Sequence, residues 1–457
     1  MNKNNFLYNP FSLFLLAHLA IWTLIPYFVN ENLPLDTIEA LAWGSNLEWG
    51  FSKHPPISAF FVELFYQLFG AQDWAYYLLS QIFVIFSFFI VWKFSEEFFL
   101  NKNLSLISIL LLEAIVFYNY TTPEFNVYVC QLPFRALTVY YCWKCFQKNN
   151  QSNWILLGIF VGLGFLTHYL FMYLIITVGI FFIYQIKRKK FNYNYLIPVF
   201  IFLIIISPHI FWLIKNNYST ITYGFSRVEV QNLSFLTAHL LNPLVFITKQ
   251  LILFVPFILF FLFLTLKIKT KLNLKNKKLV FLIIVNFLPI LLVFFTSLIL
   301  GVKIRTMWMS PFYLYMGVLF VYIYKKNINL KKSKKFFIIF LFLFILSPIT
   351  YATVSILKKD KRTDFPGKEI AYLVQSKWDN NFSNRIAVIV GDEWFAGNLS
   401  YHLSSRPQWH NSLSQNYFST EKAGGVIYVG NPKIMKKICP GVFGTIKPVG
   451  ICMIGTK

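Results

Sequence analysis

Charge is what this 457-residue chain has least of. Only 13% of its residues are Asp, Glu, Lys or Arg, against about a quarter in an ordinary soluble domain. Acids are the scarcest, 18 against 42 basic residues. The five Cys follow no metal-ligand spacing and are too few for a disulfide scaffold. No internal repeat is visible, so the inverted-repeat mark of secondary transporters is missing. Apolar residues fill the chain instead, 57% of it, with 53 Phe among them. That much apolar surface cannot be buried in one water-soluble core. A soluble enzyme and a disordered chain are both excluded.

The net charge of +24 suggests a nucleic-acid partner until the positions are read. The clusters at 187–190, Lys267 to Lys278 and Lys325 to Lys335 each sit between long apolar runs. Basic connections flanking apolar spans are what the positive-inside rule places at a cytoplasmic face. The charge therefore reports topology and contact with anionic lipid, with no nucleic acid involved.

About 20 apolar residues in a helix cross a bilayer core. That ruler predicts about eleven spans, near 11–29, 74–95, 104–119, 125–145, 153–167, 169–186, 194–214, 243–266, 279–300, 308–324 and 336–356. The stretch 57–69 is apolar but short, and reads as an interfacial or re-entrant helix. The first span is expected to stay in place, since no small-residue cleavage site follows it. With a cytoplasmic amino terminus, Lys102, Lys144, Lys148 and all three basic clusters fall inside. The external loops are then 30–73, 120–124, 215–242 and 301–307, and the tail from 357 onward is outside too. The expected architecture is an α-helical polytopic membrane domain over 1–356 and a small α/β domain over 357–457. In the tail, Ile386 to Val390 and Val426 to Val429 read as strands, with a helix across Trp394 to Leu403.

Because acids are rare, their placement is informative. In the first external loop Asp36 and Glu39 are three residues apart, on one face of a helix, and Lys53-His54-Pro55-Pro56 follows. Two carboxylates with a Lys and a His suit a hydroxyl acceptor and an anionic donor. The same residues read equally as a solvated loop helix. Glu124, after Pro123 in the short second loop, is either a functional acid or a residue favoured by a helix N-terminus. His168 stands where two apolar spans meet, as a ligand or as a hydrogen-bonded structural residue. Arg227, Lys303 and Arg305 break the inside bias of basic residues. They suit a phosphate, or merely snorkel to the interface. Cys130, Cys142 and Cys145 read as small buried hydrophobes. Cys439 and Cys452 alone lie in the tail, flanking a turn-rich stretch, and are expected to form a disulfide in an oxidising compartment.

The run Asp36-x-x-Glu39 … Trp49-Gly50-Phe51-x-x-His54-Pro55-Pro56 resembles the first-loop signature of GT-C membrane glycosyltransferases. The branch it is most similar to is glycosyltransferase family 39, the protein-mannosyltransferase-like enzymes related to lipid A aminoarabinose transferases. Thr121-Thr122-Pro123-Glu124 resembles that family's second acidic loop, where Asp is usual. Gly162 to Tyr169 resembles its Gly-Leu-rich segment, with His168 where Lys is frequent. Pro208 to Trp212 and Trp308-x-x-Pro311 resemble further family punctuation. His54 takes the place of a phosphate-binding Lys in the aminoarabinose branch.

The resemblance covers roughly residues 10–325. It implies a polyprenyl-phosphate-linked sugar donor, used with inversion at the periplasmic face of a bacterial inner membrane, and a lipid, glycan or protein acceptor. Asp36, Glu39 and Glu124 become the catalytic acids, with Asp36 as the base. Lys53, His54, His168, Arg227, Lys303 and Arg305 become the donor-phosphate contacts. A divalent cation, Mg²⁺ or Mn²⁺, would be held by Asp36 and Glu124. A transporter or lipid flippase is the alternative. It would place ionisable groups at mid-span, whereas these candidates gather at the outer face. A structural membrane protein with a sensor tail gives no reason for scarce acids to cluster beside His54.

Overall fold

The structure is a computed structural model that describes residues 9–186, 192–228, 234–265, 270–328, 330, 333–411 and 424–457. The basic cluster 187–190, and residues 267–269, 329, 331 and 332 of the other two, lie outside the described residues.

The chain opens with α1 (Pro10–Val29), α2 (Leu35–Gly44), α3 (Ile57–Phe69), α4 (Asp73–Glu96) and α5 (Lys102–Leu110). Then come α6 (Val127–Gln147), α7 (Gln151–Phe165), α8 (Met172–Ile186), α9 (Ile197–Lys215) and α10 (Ser219–Val228). The helical part ends with α11 (Asn242–Leu262), α12 (Lys277–Leu300), α13 (Met316–Tyr324) and α14 (Ser333–Leu357). Asparagine starts many of these. Asn9, Asn101, Asn126, Asn150 and Asn276 each accept backbone N–H groups of a following first turn, satisfying donors that no intrahelical carbonyl reaches. Helices approach closely in the bundle: a Cβ on Gly162 of α7 would lie 2.8 Å from Ile205 of α9, and one on Gly317 of α13 would meet the Ser108 carbonyl of α5. Small residues allow that approach between apolar helices.

Among the described residues, seven helices are long and apolar enough to cross a membrane. The bent pair Thr306–Tyr313 and Met316–Tyr324, turned by 51°, makes eight if counted as one. Each of the eleven segments expected from sequence is helical, but three are not spans of this kind. Segment 104–119 breaks after α5 into the 3₁₀ turns Leu111–Ala114 and Val116–Tyr118. α6 is diluted by Gln131, Arg135 and Lys144 and is mostly buried between other helices. α7 has only 15 residues, about 22 Å at 1.5 Å each.

α4 gives the bundle its polarity. At its C-terminal end Glu97 pairs with Lys144, and its carbonyl accepts from Lys278 Nζ. Two of the basic connections therefore meet at one end. At the other end Asp73 Oδ1 accepts from the Tyr401 hydroxyl at 2.7 Å, and there the tail is docked. The tail comprises α15 (Gly367–Asp379), β1 (Ile386–Val390), α16 (Phe395–His402), β2 (Gln408–His410), β3 (Gly425–Gly430), α17 (Pro432–Ile438), β4 (Val442–Ile446) and β5 (Val449–Ile454). Its sheet runs β2-β1-β3-β5-β4. β1 is parallel to β2 and β3, and β5 is antiparallel to β3 and β4. Cys439, at the end of α17, is joined by a disulfide to Cys452 on β5. Cys130, Cys142 and Cys145 are free and buried.

Candidate active site

The first loop folds around α2, a ten-residue helix with no cap from its own loop, since Pro34 stands at its N-cap. The missing partner comes from the second loop. Glu124 Oε1 accepts the Asp36 backbone N–H at 3.0 Å, and Thr37 Oγ1 donates to the Phe125 carbonyl at 3.2 Å. The resemblance motifs also meet in space. His209 Nδ1 donates to the Trp49 carbonyl at 2.6 Å, and Trp212 Nε1 donates to Glu48 at 2.8 Å. The Trp212 ring lies over Gly50 and leaves no room for a Cβ there. Trp49-Gly50-Phe51 and Pro208 to Trp212 are two sides of one contact.

A cavity of about 480 Å³ opens where these loops meet. Asp36, Glu39, Lys53, His54, His168, Arg227 and Arg305 all line it, together with aromatic residues such as Tyr128, Tyr223 and Trp308. Two residues named from sequence do not reach its wall. Glu124 stands behind Asp36, and Lys303 is exposed to one side.

Electrostatics sorts the remaining residues. Asp36 is half-buried, and desolvation together with the nearby Glu124 carboxylate raises its pKa to about 8, against the pull of Lys53, Arg227 and Arg305. Desolvation also raises Glu124, although the hydrogen bond from the Asp36 amide opposes it. Two carboxylates this close share protons rather than both ionising. Glu39 is shifted upward by desolvation as well, with Lys53 opposing. Lys53 Nζ lies 2.9 Å from Glu39 Oε1 and 3.3 Å from Glu393 Oε1. Burial would lower the Lys53 ammonium, but these two carboxylates outweigh it and hold the pKa above the usual lysine range. Lys53 is thus charged but already paired.

The two histidines are neutral. His54 packs against the Trp43 and His168 rings, and desolvation, His168, Lys53 and Arg227 push it well below the ordinary value. Desolvation lowers His168 to about 4. His168 Nδ1 accepts the Leu170 N–H at 3.1 Å, which leaves the ring proton on Nε2. Expected as phosphate contacts, both are N–H donors rather than cations near neutral pH. The positive charge without a carboxylate partner, among the described residues lining the cavity, is on Arg227 and Arg305.

Three features were not foreseen from sequence. Glu393 reaches Lys53 from the tail domain. Arg406 of the tail donates to Glu63 Oε2 and to the Leu41 carbonyl, each at 2.6 Å, and its guanidinium stacks on Tyr66. Inside the bundle, the His18 ring and Glu113 Oε1 are 2.9 Å apart and fully shielded. Asn119 Nδ2 donates to the Glu113 carbonyl at 2.7 Å, so this buried pair anchors the loop that carries Glu124. Glu113 carried a usable signal, as the one acid inside segment 104–119. Other buried ionisable groups lie inside the bundle: His18 is paired with Glu113, whereas Arg135 stacks on the Phe312 ring, and none of the three lines the cavity or the apolar groove between α11, α12 and α13.

The architecture is a helical membrane bundle with a small sheet docked at one end, and the cavity lies in the bundle near that end. The comparisons agree with it. The family model described as dolichyl-phosphate-mannose-protein mannosyltransferase matches residues 53–212. The crystal structure of ArnT from Cupriavidus metallidurans bound to undecaprenyl phosphate superposes with a TM-score of 0.61 at 10% identity, covering 96% of this chain and 97% of that one. The apo structure of the same ArnT gives 0.59 at 9% identity, covering 97% and 98%. At that identity the likeness is one of fold, and it extends over the sheet domain as well as the helices. No curated protein gives a significant match.

Proposed function

We propose that this protein is an inverting glycosyltransferase that moves a sugar from a polyprenyl-phosphate donor to an acceptor hydroxyl. Its amino terminus would lie in the cytoplasm and its site at the periplasmic face of a bacterial inner membrane. The observation that carries the reading is the single cavity lined by Asp36, Glu39, Lys53, Arg227 and Arg305 at the end of the bundle away from Glu97, Lys144 and Lys278. The fold shared with ArnT, bound in that structure to undecaprenyl phosphate, supports it.

Each residue then has a task. The acceptor oxygen attacks the anomeric carbon from the face opposite the phosphate. The carbon–oxygen bond to phosphate breaks, and its electron pair stays on the phosphate oxygen. The acceptor proton passes to Asp36, whose pKa of about 8 lies near the operating pH, where a general base is most effective. A lipid phosphate leaves readily without a general acid and needs positive charge instead. Arg227 and Arg305 supply it, while His54 and His168 can only donate N–H hydrogen bonds. An apolar groove of about 490 Å³ between α11, α12 and α13, lined by Phe254, Phe287 and Phe320 among others, suits an isoprenoid tail. The 3₁₀ segment Thr306–Tyr313 joins it to the cavity, since Met307 and Trp308 line one and Tyr313 the other.

The oxygen donors fit a hard divalent cation in one respect. Burial raises both the Asp36 and the Glu124 carboxyl, and a cation would offset the same buried negative charge. Among the described residues no third His, Cys, Asp or Glu completes a set with them, so water would fill the other positions. Bound there, Mg²⁺ or Mn²⁺ would offset negative charge developing on the leaving phosphate.

Lipid and glycan profiling of a deletion strain by mass spectrometry tests the reading. A sugar modification should vanish, return with the wild-type chain and stay absent with Asp36→Asn. An unchanged glycan and lipid profile in the deletion strain, or full restoration by Asp36→Asn, overturns it.

A further inference from the structure

The carboxylate that faces Lys53 from the far side belongs to the tail domain. Glu393 follows β1 at the C-terminal edge of the parallel strands, the edge where open α/β sheets carry their functional loops. Its place is held from both directions. Asp392 Oδ1 accepts the Trp394 and Phe395 amides at 2.9 Å each and caps α16. α16 in turn lies against α2, where a Cβ on Gly397 would be 3.2 Å from Ala42 and from Ile38. Glu393 Oε1 thereby comes within 3.3 Å of Lys53 Nζ, with Glu39 at 2.9 Å on the other side, and the three side chains are only 12–20% exposed. Two carboxyl groups face one ammonium, a formal surplus of one negative charge beside the cavity.

That surplus matters because donor and product differ in charge. Transfer converts a phosphodiester, with one negative charge, into a phosphomonoester carrying about −1.5 to −2 at neutral pH. A cavity with every cation free would hold the product more tightly than the donor. We infer that Glu393 is a positioning and selectivity residue: acting through Lys53, it withholds positive charge from the cavity so that the lipid monophosphate product is released. This rests on the donor class proposed above. The tail domain is then part of the turnover cycle, because its carboxylate sets how firmly the spent carrier is held.

The test is equilibrium binding of undecaprenyl phosphate to the purified full-length protein, with undecaprenol as the uncharged control. Glu393→Gln should bind undecaprenyl phosphate about tenfold more tightly, about 1.4 kcal/mol, with undecaprenol binding unchanged and Glu393→Asp close to wild type. In a Lys53→Met background the Glu393→Gln effect should disappear. A merely structural role would persist there. Equal or weaker binding of undecaprenyl phosphate by Glu393→Gln, or a gain that survives in Lys53→Met, overturns the assignment. A wild-type protein that binds undecaprenol as well as undecaprenyl phosphate overturns the donor reading instead, and the inference with it.

Discussion

Glu124→Gln isolates the charge on the second-loop acid from its role as a cap. The amide keeps an oxygen for the Asp36 N–H, now 3.0 Å from Glu124 Oε1, so α2 should keep its start. What disappears is the like charge that helps raise Asp36. In the wild-type protein Asp36 titrates at about 8. As a base it must be unprotonated, so about a tenth of the molecules are competent at pH 7 and about nine tenths at pH 9. The acid limb of the rate profile should therefore rise about tenfold over that range.

As a general scale, like charges about 5 Å apart at an effective dielectric of about 20 repel by roughly 3 kcal/mol. Solvent and relaxation screen part of this, and roughly one pH unit, at 1.36 kcal/mol, is the shift expected on removing the Glu124 charge. Desolvation is the larger cause of the Asp36 shift and is untouched, so the midpoint should fall towards about 7 and not to the ordinary Asp value. The assay is initial transfer rate against pH for the purified protein, using the lipid-linked sugar that glycan profiling identifies. An acid limb that stays near pH 8, or moves upward, refutes the pairing of the two carboxylates.

Other expectations follow from the same geometry. Asp36→Asn should cut turnover by about 100-fold or more with folding intact, and near-normal transfer in a well-expressed variant would reject the base. EDTA should lower activity and Mn²⁺ or Mg²⁺ restore it, whereas full activity in EDTA leaves Asp36 and Glu124 as acid–base groups alone. Arg406→Ala strands the Glu63 carboxylate, whose side chain is 6% exposed, at a cost of about 3 kcal/mol. Limited proteolysis should then release the tail sooner, and unchanged cleavage would count against Arg406 as its anchor. Cys439 and Cys452 should resist thiol labelling until reductant is added, and replacing either should cost the tail about 3 kcal/mol. Full labelling without reductant contradicts the bridge.

What could be read from sequence was local. Asp36, Glu39, Lys53 and His54 lie within one loop, and they also meet in space. Arg227 and Arg305 stood out because basic residues are rare near the outer ends of spans. The state of each group was not legible. His54 is neutral because Trp43 and His168 rings enclose it, and Lys53 is paired because a loop from the far end of the chain meets it. His168 and Glu393 are both far from this loop in sequence. The expected count of eleven spans is not matched by long apolar helices where apolar composition and helix continuity part company. Segment 104–119 is apolar enough, yet Leu111–Ala114 and Val116–Tyr118 tighten into 3₁₀ turns around the buried Glu113. A hydropathy ruler registers the apolar content and misses the break.

The same long-range contacts decide whether the site exists at all. α2 has ten residues, and isolated helices shorter than about 12–15 are marginal in water. Its N-terminus is closed by Glu124 from the second loop. The Leu41 carbonyl near its other end is held by Arg406 from the tail, and Ser45, just beyond, accepts the Trp409 N–H at 2.9 Å. α16 covers one flank through Gly397. Asp36 and Glu39 therefore sit on a helix whose geometry is supplied by three separate stretches of chain. Loosening the tail should disturb the carboxylates before it disturbs the membrane bundle, because the bundle's own contacts, α1 with α4 and α7 with α9, do not pass through the sheet. A tail that docks on the helix carrying Asp36 and Glu39, rather than beside it, makes site assembly and domain docking one event.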